Sequence, residues 1–155
     1  MKTNQKKLII CLAIPLAVGG LAALLSGGMR TYHTLNQPPL SPPGWVFPVV
    51  WSILYLLMGY ASYRILISDA DPDAIRKALT FYFIQLALNF LWPLVFFGLQ
   101  QYFAAFLLLL VLWVFIYLTM YSFGKNDDTA QNLLIPYLLW VTFAGYLNLG
   151  VALLN

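Results

Sequence analysis

The chain has 155 residues, 62% of them hydrophobic and 8% charged, with a formal net charge of +3 and a mean hydropathy of +0.81. A soluble domain carries about 25% charged residues, so water is excluded as the solvent for most of this surface and lipid takes its place. Cys11 is the single cysteine, which excludes an internal disulfide and a thiolate metal cluster.

Five apolar runs are long enough to cross a bilayer, at about 20 residues per span, and predict an all-α integral membrane bundle of one domain, residues 1–155. The first run, residues 8–27, carries no charge. Its Pro15, Gly19 and Gly20 are tolerable in a membrane helix whose neighbours satisfy the freed backbone groups. Lys2, Lys6 and Lys7 precede it, as they would in a signal peptide. The run exceeds the roughly 7–15 residues of a signal core and no small-x-small site follows, so it reads as an uncleaved span.

Residues 28–44 form the longest connection. Pro38, Pro39, Pro42 and Pro43 restrict its backbone to extended or turn geometry. Such a stiff loop serves either as a rigid connector or as a lid that brings Tyr32, Pro42 and Arg30 or His33 to a pocket, with little ordering cost on binding. Arg30 and His33 are the possible cations on this face, placed to meet a ligand carboxylate. A lone histidine with no second ligand type nearby gives no metal site.

The second span covers residues 45–67, with Trp45 and Phe47 near its start, where aromatic belts form. Trp51 and Tyr55 follow at i and i+4 on one face. Spans three and four, 78–99 and 102–123, are joined only by Gln100 and Gln101, a connection that forces an antiparallel hairpin. In the third span Gln85, Asn89 and Trp92 share one face. Amides facing lipid are costly, so that face points into the bundle, either as glue between helices or as ligand contacts. The fifth span, 133–154, places Trp140, Ala144, Leu147 and Asn148 at helical spacing, with space beside the indole at Ala144.

Basic residues in short loops set orientation. Lys2, Lys6, Lys7, Arg64, Arg76, Lys77 and Lys125 fall on one side of a five-span chain and Arg30 alone on the other, which predicts a cytoplasmic N-terminus. No acidic residue lies at membrane depth, which weighs against an ion-coupled carrier. An odd number of spans without an internal repeat weighs against two inverted halves. Large flat rings with a few amides make a pocket suited to a flat, apolar ligand with polar edges.

Three motifs carry a resemblance that covers nearly the whole chain. They are Pro38-Pro39-Leu40-Ser41-Pro42-Pro43-Gly44-Trp45-Val46-Phe47-Pro48 running into Trp51 and Tyr55, then Gln85 to Asn89 with Trp92 and Phe96-Phe97, and finally Leu134 to Trp140 with Phe143-Ala144 and Leu147-Asn148. In this order they resemble the TspO/translocator-protein family, the tryptophan-rich sensory proteins also called peripheral-type benzodiazepine receptors. The resemblance implies a homodimer of five-helix chains in a bacterial cell membrane, with no nucleic-acid partner. It implies a receptor or sensor whose pocket, beneath the first loop, binds porphyrins such as protoporphyrin IX or haem as ligands, with no obligatory cofactor or metal, and accepts isoquinoline carboxamides and benzodiazepines. Carried over by position, Tyr32, Pro42, Trp51, Tyr55, Asn89, Trp140, Ala144 and Leu147 line that pocket. The counterparts of Trp51 and Trp140 are tied in the family to light-dependent breakdown of protoporphyrin IX, an alternative, catalytic function; transport of a tetrapyrrole or other lipophile is a second alternative. Thr31 and Gln37 stand where many members have tryptophan and lysine, which weakens carboxylate binding by the loop. Tyr146 is followed by no basic residue, so the sterol-recognition pattern is incomplete.

Overall fold

The computed structural model describes residues 3–28 and 32–155; the expectations placed on Lys2, Arg30 and Thr31 lie outside the described residues. Among the described residues all regular structure is helical. It runs α1 (Thr3–Ser26), a 3₁₀ turn (Tyr32–Thr34), α2 (Val46–Leu66), α3 (Pro72–Pro93) continuing into a π turn (Leu94–Gly98), α4 (Tyr102–Gly124), α5 (Asp128–Leu133) and α6 (Ile135–Leu154). Five units are long and apolar enough to cross a membrane: α1, α2, α3 with its π turn, α4, and α5 with α6.

Prolines explain where these helices depart from the simple runs of hydropathy. The third begins at Pro72 rather than 78, because Pro72 occupies its first turn, where a missing N–H costs nothing. Pro93 cannot donate to the Asn89 carbonyl, and the chain responds by widening: Leu99 N–H bonds five residues back to the Leu94 carbonyl at 2.9 Å. Pro136 likewise removes a donor, and the fifth span divides at Leu134 into α5 and α6. It starts at 128 rather than 133 because Asp127 caps it, accepting from Thr129 N at 2.9 Å and Ala130 N at 3.3 Å.

Helix contacts close a ring in the order α1, α2, α5–α6, α4, α3, with α3 returning to α1. Met58, Ala61 and Ile65 of α2, Ala78 and Tyr82 of α3, Leu112, Ile116 and Phe123 of α4 and Tyr137 and Val141 of α6 fill its interior. Leu24, Leu107, Val111 and Leu139 point outward, toward what is hydrocarbon for such a bundle. The α1 and α2 backbones come close at Gly59, where an added Cβ would stand 2.5 Å from the Cys11 carbonyl. Pro15, four residues on, cannot donate to that carbonyl, and the missing side chain at Gly59 lets a neighbouring helix approach it, as small residues do in membrane packing.

The first loop lies across the opposite end of the bundle from this crossing. The Asn155 side chain grips Asn36, accepting from its N–H at 3.1 Å and donating to its carbonyl at 2.9 Å. Tyr146 donates to the Pro39 carbonyl at 2.6 Å, and Pro38 packs onto Gly150. At the other end Arg64 reaches Asp127 through two hydrogen bonds, 2.9 and 3.4 Å, tying α2 to the start of α5. Burial pushes the Asp127 carboxyl up, but the Arg64 guanidinium and the Ala130 and Thr129 N–H groups outweigh it and hold the carboxyl below the usual carboxylate range.

Two stability predictions follow from these junctions. Gly59→Val should lower thermal stability in detergent by roughly 1–3 kcal/mol, the range for overpacking, whereas Gly20→Val, where an added Cβ meets nothing within 4 Å, should leave it unchanged. Asp127→Ala should cost about 1 kcal/mol as a lost cap. Because the folded carboxyl is depressed, the wild-type contribution is present above the unfolded value of about 3.9 and lost as pH falls through the lower folded value. Melting curves between neutral and acid pH should therefore converge for wild type and Asp127→Ala.

Candidate functional site

Directly beneath the first loop the ring of helices encloses a cavity of about 300 Å³. Its walls come from every span: Gly19 and Ala23 of α1, Phe47, Trp51 and Tyr55 of α2, Asn89 and Trp92 of α3, Phe96 and Phe97 of the π turn, Leu109 and Leu112 of α4, and Ala144, Leu147 and Val151 of α6, with Tyr32 from the loop. Among the described residues, none that lines the cavity is charged. Seven of these residues are aromatic, and their faces give the cavity its shape: Trp51 stacks on Tyr55 at 5.5 Å and Trp92 on Phe96 at 4.9 Å.

The π turn accounts for part of that wall. One wider turn after Pro93 lets Trp92 face both Phe96, stacked, and Phe97, edge-on at 5.9 Å. An uninterrupted helix would separate positions 92 and 97 by five residues, off the shared face. Insertions of this kind recur at functional sites.

Polar groups at the cavity floor are already engaged with one another. Tyr55 donates to Asn89 Oδ1 at 2.9 Å, Asn89 Nδ2 donates to the Tyr137 hydroxyl at 2.7 Å, and Tyr137 donates to Gln85 Oε1 at 2.7 Å. This buried chain joins α2, α3 and α6. A second link runs from Trp92 Nε1 to Asn148 Oδ1 at 2.9 Å, and from Asn148 Nδ2 to the Tyr102 carbonyl at 2.8 Å. The face of Gln85, Asn89 and Trp92 thus points inward and bonds between helices. Asn89 and Asn148 also border the cavity, so glue and wall are the same residues.

Tyr32, Trp51, Tyr55, Asn89, Ala144 and Leu147 come together around the cavity. Pro42 and Trp140 stand outside the lining. Pro42 acts through its carbonyl, which accepts from the Tyr32 hydroxyl at 2.8 Å and holds that ring over the opening. Burial pushes the Tyr32 phenol up, so it stays a neutral donor. Trp140 lies behind Phe47, ring to ring at 5.8 Å, and against Phe143 at 5.6 Å; its Nε1 is buried without a hydrogen-bond partner. His33 sits edge-on to Tyr32 at 5.7 Å, outside the lining. Among the described residues no group of three or more His, Cys or Asp side chains is arranged to hold a metal.

Sequence reasoning overlooked Phe47, the α4 residues Leu109 and Leu112, and above all Tyr137. The last was legible: Tyr137, Val141, Ala144 and Asn148 form one stripe at helical spacing. The α4 residues were not, because that helix is apolar on every side.

A sequence model of the TspO/MBR family matches residues 11–154. The chain is 38% identical to the tryptophan-rich protein TspO of Chlorobaculum tepidum over 150 residues, 96% of this chain and 95% of that one. It is 42% identical to the tryptophan-rich sensory protein of Cereibacter sphaeroides over 124 residues, 80% and 76% of the two chains. To the translocator protein of Bos taurus it is 39% identical over 123 residues, 78% and 72%. The chain belongs to the TspO/MBR family and is a multi-pass integral membrane protein.

The hydrogen-bond chain predicts an order of sensitivity. Tyr137→Phe removes a donor from Gln85 and an acceptor from Asn89 in one step, and should cost about 1–3 kcal/mol, the range for buried groups left unpaired. Tyr55→Phe removes only the end link and should cost roughly 0.6 kcal/mol, a typical membrane hydrogen bond. Thermal unfolding in detergent measures both; equal losses would mean the chain is not organised around Tyr137.

Proposed function

We propose that this TspO/MBR-family membrane protein is a receptor for porphyrins, protoporphyrin IX or a haem-like tetrapyrrole, held in the aromatic cavity beneath the first loop. The observation that carries this reading is the lining: seven aromatic side chains, no charged side chain among the described residues, and few hydrogen-bonding groups, with Tyr55 and Asn89 already paired at the floor and Tyr32 at the rim. A flat conjugated ring gains both burial and offset stacking against such walls. Its carboxylates find no cation among the described lining residues and belong at the loop end, toward water. Isoquinoline carboxamides and benzodiazepines, flat rings with one or two acceptors, suit the same walls. The described basic residues Lys6, Lys7, Arg64, Arg76, Lys77 and Lys125 sit at the opposite end of the spans, which favours that end as cytoplasmic. The same reading takes the protein as a homodimer in a bacterial cell membrane.

A second reading is light-dependent oxidative breakdown of the bound porphyrin, with dissolved dioxygen as the oxidant. Trp51 favours it: the indole borders the cavity and stacks on Tyr55, whose hydroxyl enters the hydrogen-bonded interior, giving an oxidisable pair beside the ring. Trp140 would act only through Phe47, which stands between it and the cavity.

Titration with protoporphyrin IX in the dark, followed by porphyrin absorbance, tests the first reading. Trp51→Ala should raise Kd about tenfold, or ~1.4 kcal/mol, and Trp140→Ala should raise it less. Equal affinity in wild type and Trp51→Ala would remove the ligand from this cavity. Illumination of the saturated protein then separates the readings: a new absorbing product that Trp51→Phe fails to form supports catalysis, and bleaching at the rate of free porphyrin rejects it.

A further inference from the structure

The cavity has two borders, and they differ in exposure. On the loop side the lining residues Tyr32 and Ser41 are buried and half-buried, and the loop above them is fastened to α6 through Asn155 and Tyr146. Among the described residues, every lining residue that is exposed, Leu16, Gly20, Ala23, Pro48 and Ser52, lies on α1 or α2. All five belong to helices long and apolar enough to cross a membrane, so the gap between them opens on the side of the bundle rather than at its loop end.

The packing of α1 against α2 explains the gap. The two helices touch where Gly59 meets Cys11 and again where Gly19 meets the Tyr55 ring. Beyond that second contact, toward the loop, α1 offers Gly20 and Ala23 and α2 offers Pro48 and Ser52, all small or compact. An added Cβ at Gly20 would meet no atom within 4 Å. The Ser52 hydroxyl, which would be costly in lipid unpaired, is closed onto the Pro48 carbonyl at 2.7 Å, so the rim of the gap presents an apolar surface.

We propose that this seam is a lateral portal: ligands reach the cavity from within the bilayer, between α1 and α2, and not from water past the loop. The substrate class is a flat lipophile already partitioned into the loop-side leaflet, entering edge-first between Gly20 and Ser52. Rings then slide along the Trp51 face, while the loop holds the polar end. The proposal deepens the reading of the cavity as a ligand site, but the opening itself does not depend on porphyrin being the ligand.

The test therefore uses no porphyrin. Protein in liposomes is photolabelled with an apolar aryl diazirine dissolved in the bilayer, and adducts are mapped by mass spectrometry. Wild type should carry adducts at the buried cavity residues Ala144 and Leu147 as well as at outward-facing Val111 and Val114. Gly20→Phe and, independently, Ala23→Phe should lose the cavity adducts and keep those on α4, whose persistence reports an intact fold. A loop locked by an oxidised Asn36→Cys/Asn155→Cys pair, in a Cys11→Ser background, should keep both sets. Cavity adducts that survive both phenylalanine substitutions, that vanish in the locked loop, or that never form in wild type would each overturn the portal. Failure of porphyrin to bind in the dark titration, with cavity adducts present, would instead remove the ligand assignment and leave the portal standing.

Discussion

Hydrocarbon offers no hydrogen bonds, and this constraint shapes the interior more than any other. An amide or hydroxyl at membrane depth is costly unless it finds a partner inside the protein. The Tyr55–Asn89–Tyr137–Gln85 chain meets that need by joining α2, α3 and α6. Trp92, Asn148 and the Tyr102 carbonyl do the same between α3, α6 and the start of α4. The helices cannot slide past one another without breaking these links, so the polar groups fix the spacing of the walls. Aromatic side chains then fill the walls and leave a space of defined shape.

The same constraint explains how function and stability share residues. Asn89 and Tyr55 hold helices together and form the cavity floor, so their polar atoms are oriented before any ligand arrives. A ligand that replaces none of their bonds meets an organised surface and incurs little reorganisation cost on entry. The prolines act in a related way. Pro93 forces the wide turn that adds Phe97 to the wall, and the paired prolines of the loop, latched by Asn155, Tyr146 and Gly150, give it a fixed roof. Leu40 and Gln100 are held at positive φ, 71° and 54°, strain that sits in the two connections at this end of the bundle.

The sequence legibly carried the number of spans, their approximate limits and the inward face of α3, because hydropathy and helical periodicity are local signals. Part of the cavity wall was legible as well, since Trp51, Tyr55, Asn89, Ala144 and Leu147 stand at regular spacing. What was not legible arises between helices. The position of Trp140 behind Phe47 depends on how α2 and α6 lean together, which no single-helix pattern records. The contributions of Leu109 and Leu112 are hidden in a helix that is apolar all round. Gly19 and Gly20 read only as tolerated glycines until the Tyr55 ring was found against one and open space beside the other.

The central claim is that a flat conjugated ring occupies the aromatic cavity itself. The most direct measurement is a structure of the protein determined with protoporphyrin IX bound. The ring should lie between the Trp51–Tyr55 face of α2 and the Ala144–Leu147 stretch of α6, with its carboxylates toward the first loop. A ring seated on the lipid-facing surface or between two copies of the chain, with this cavity empty, would contradict the account.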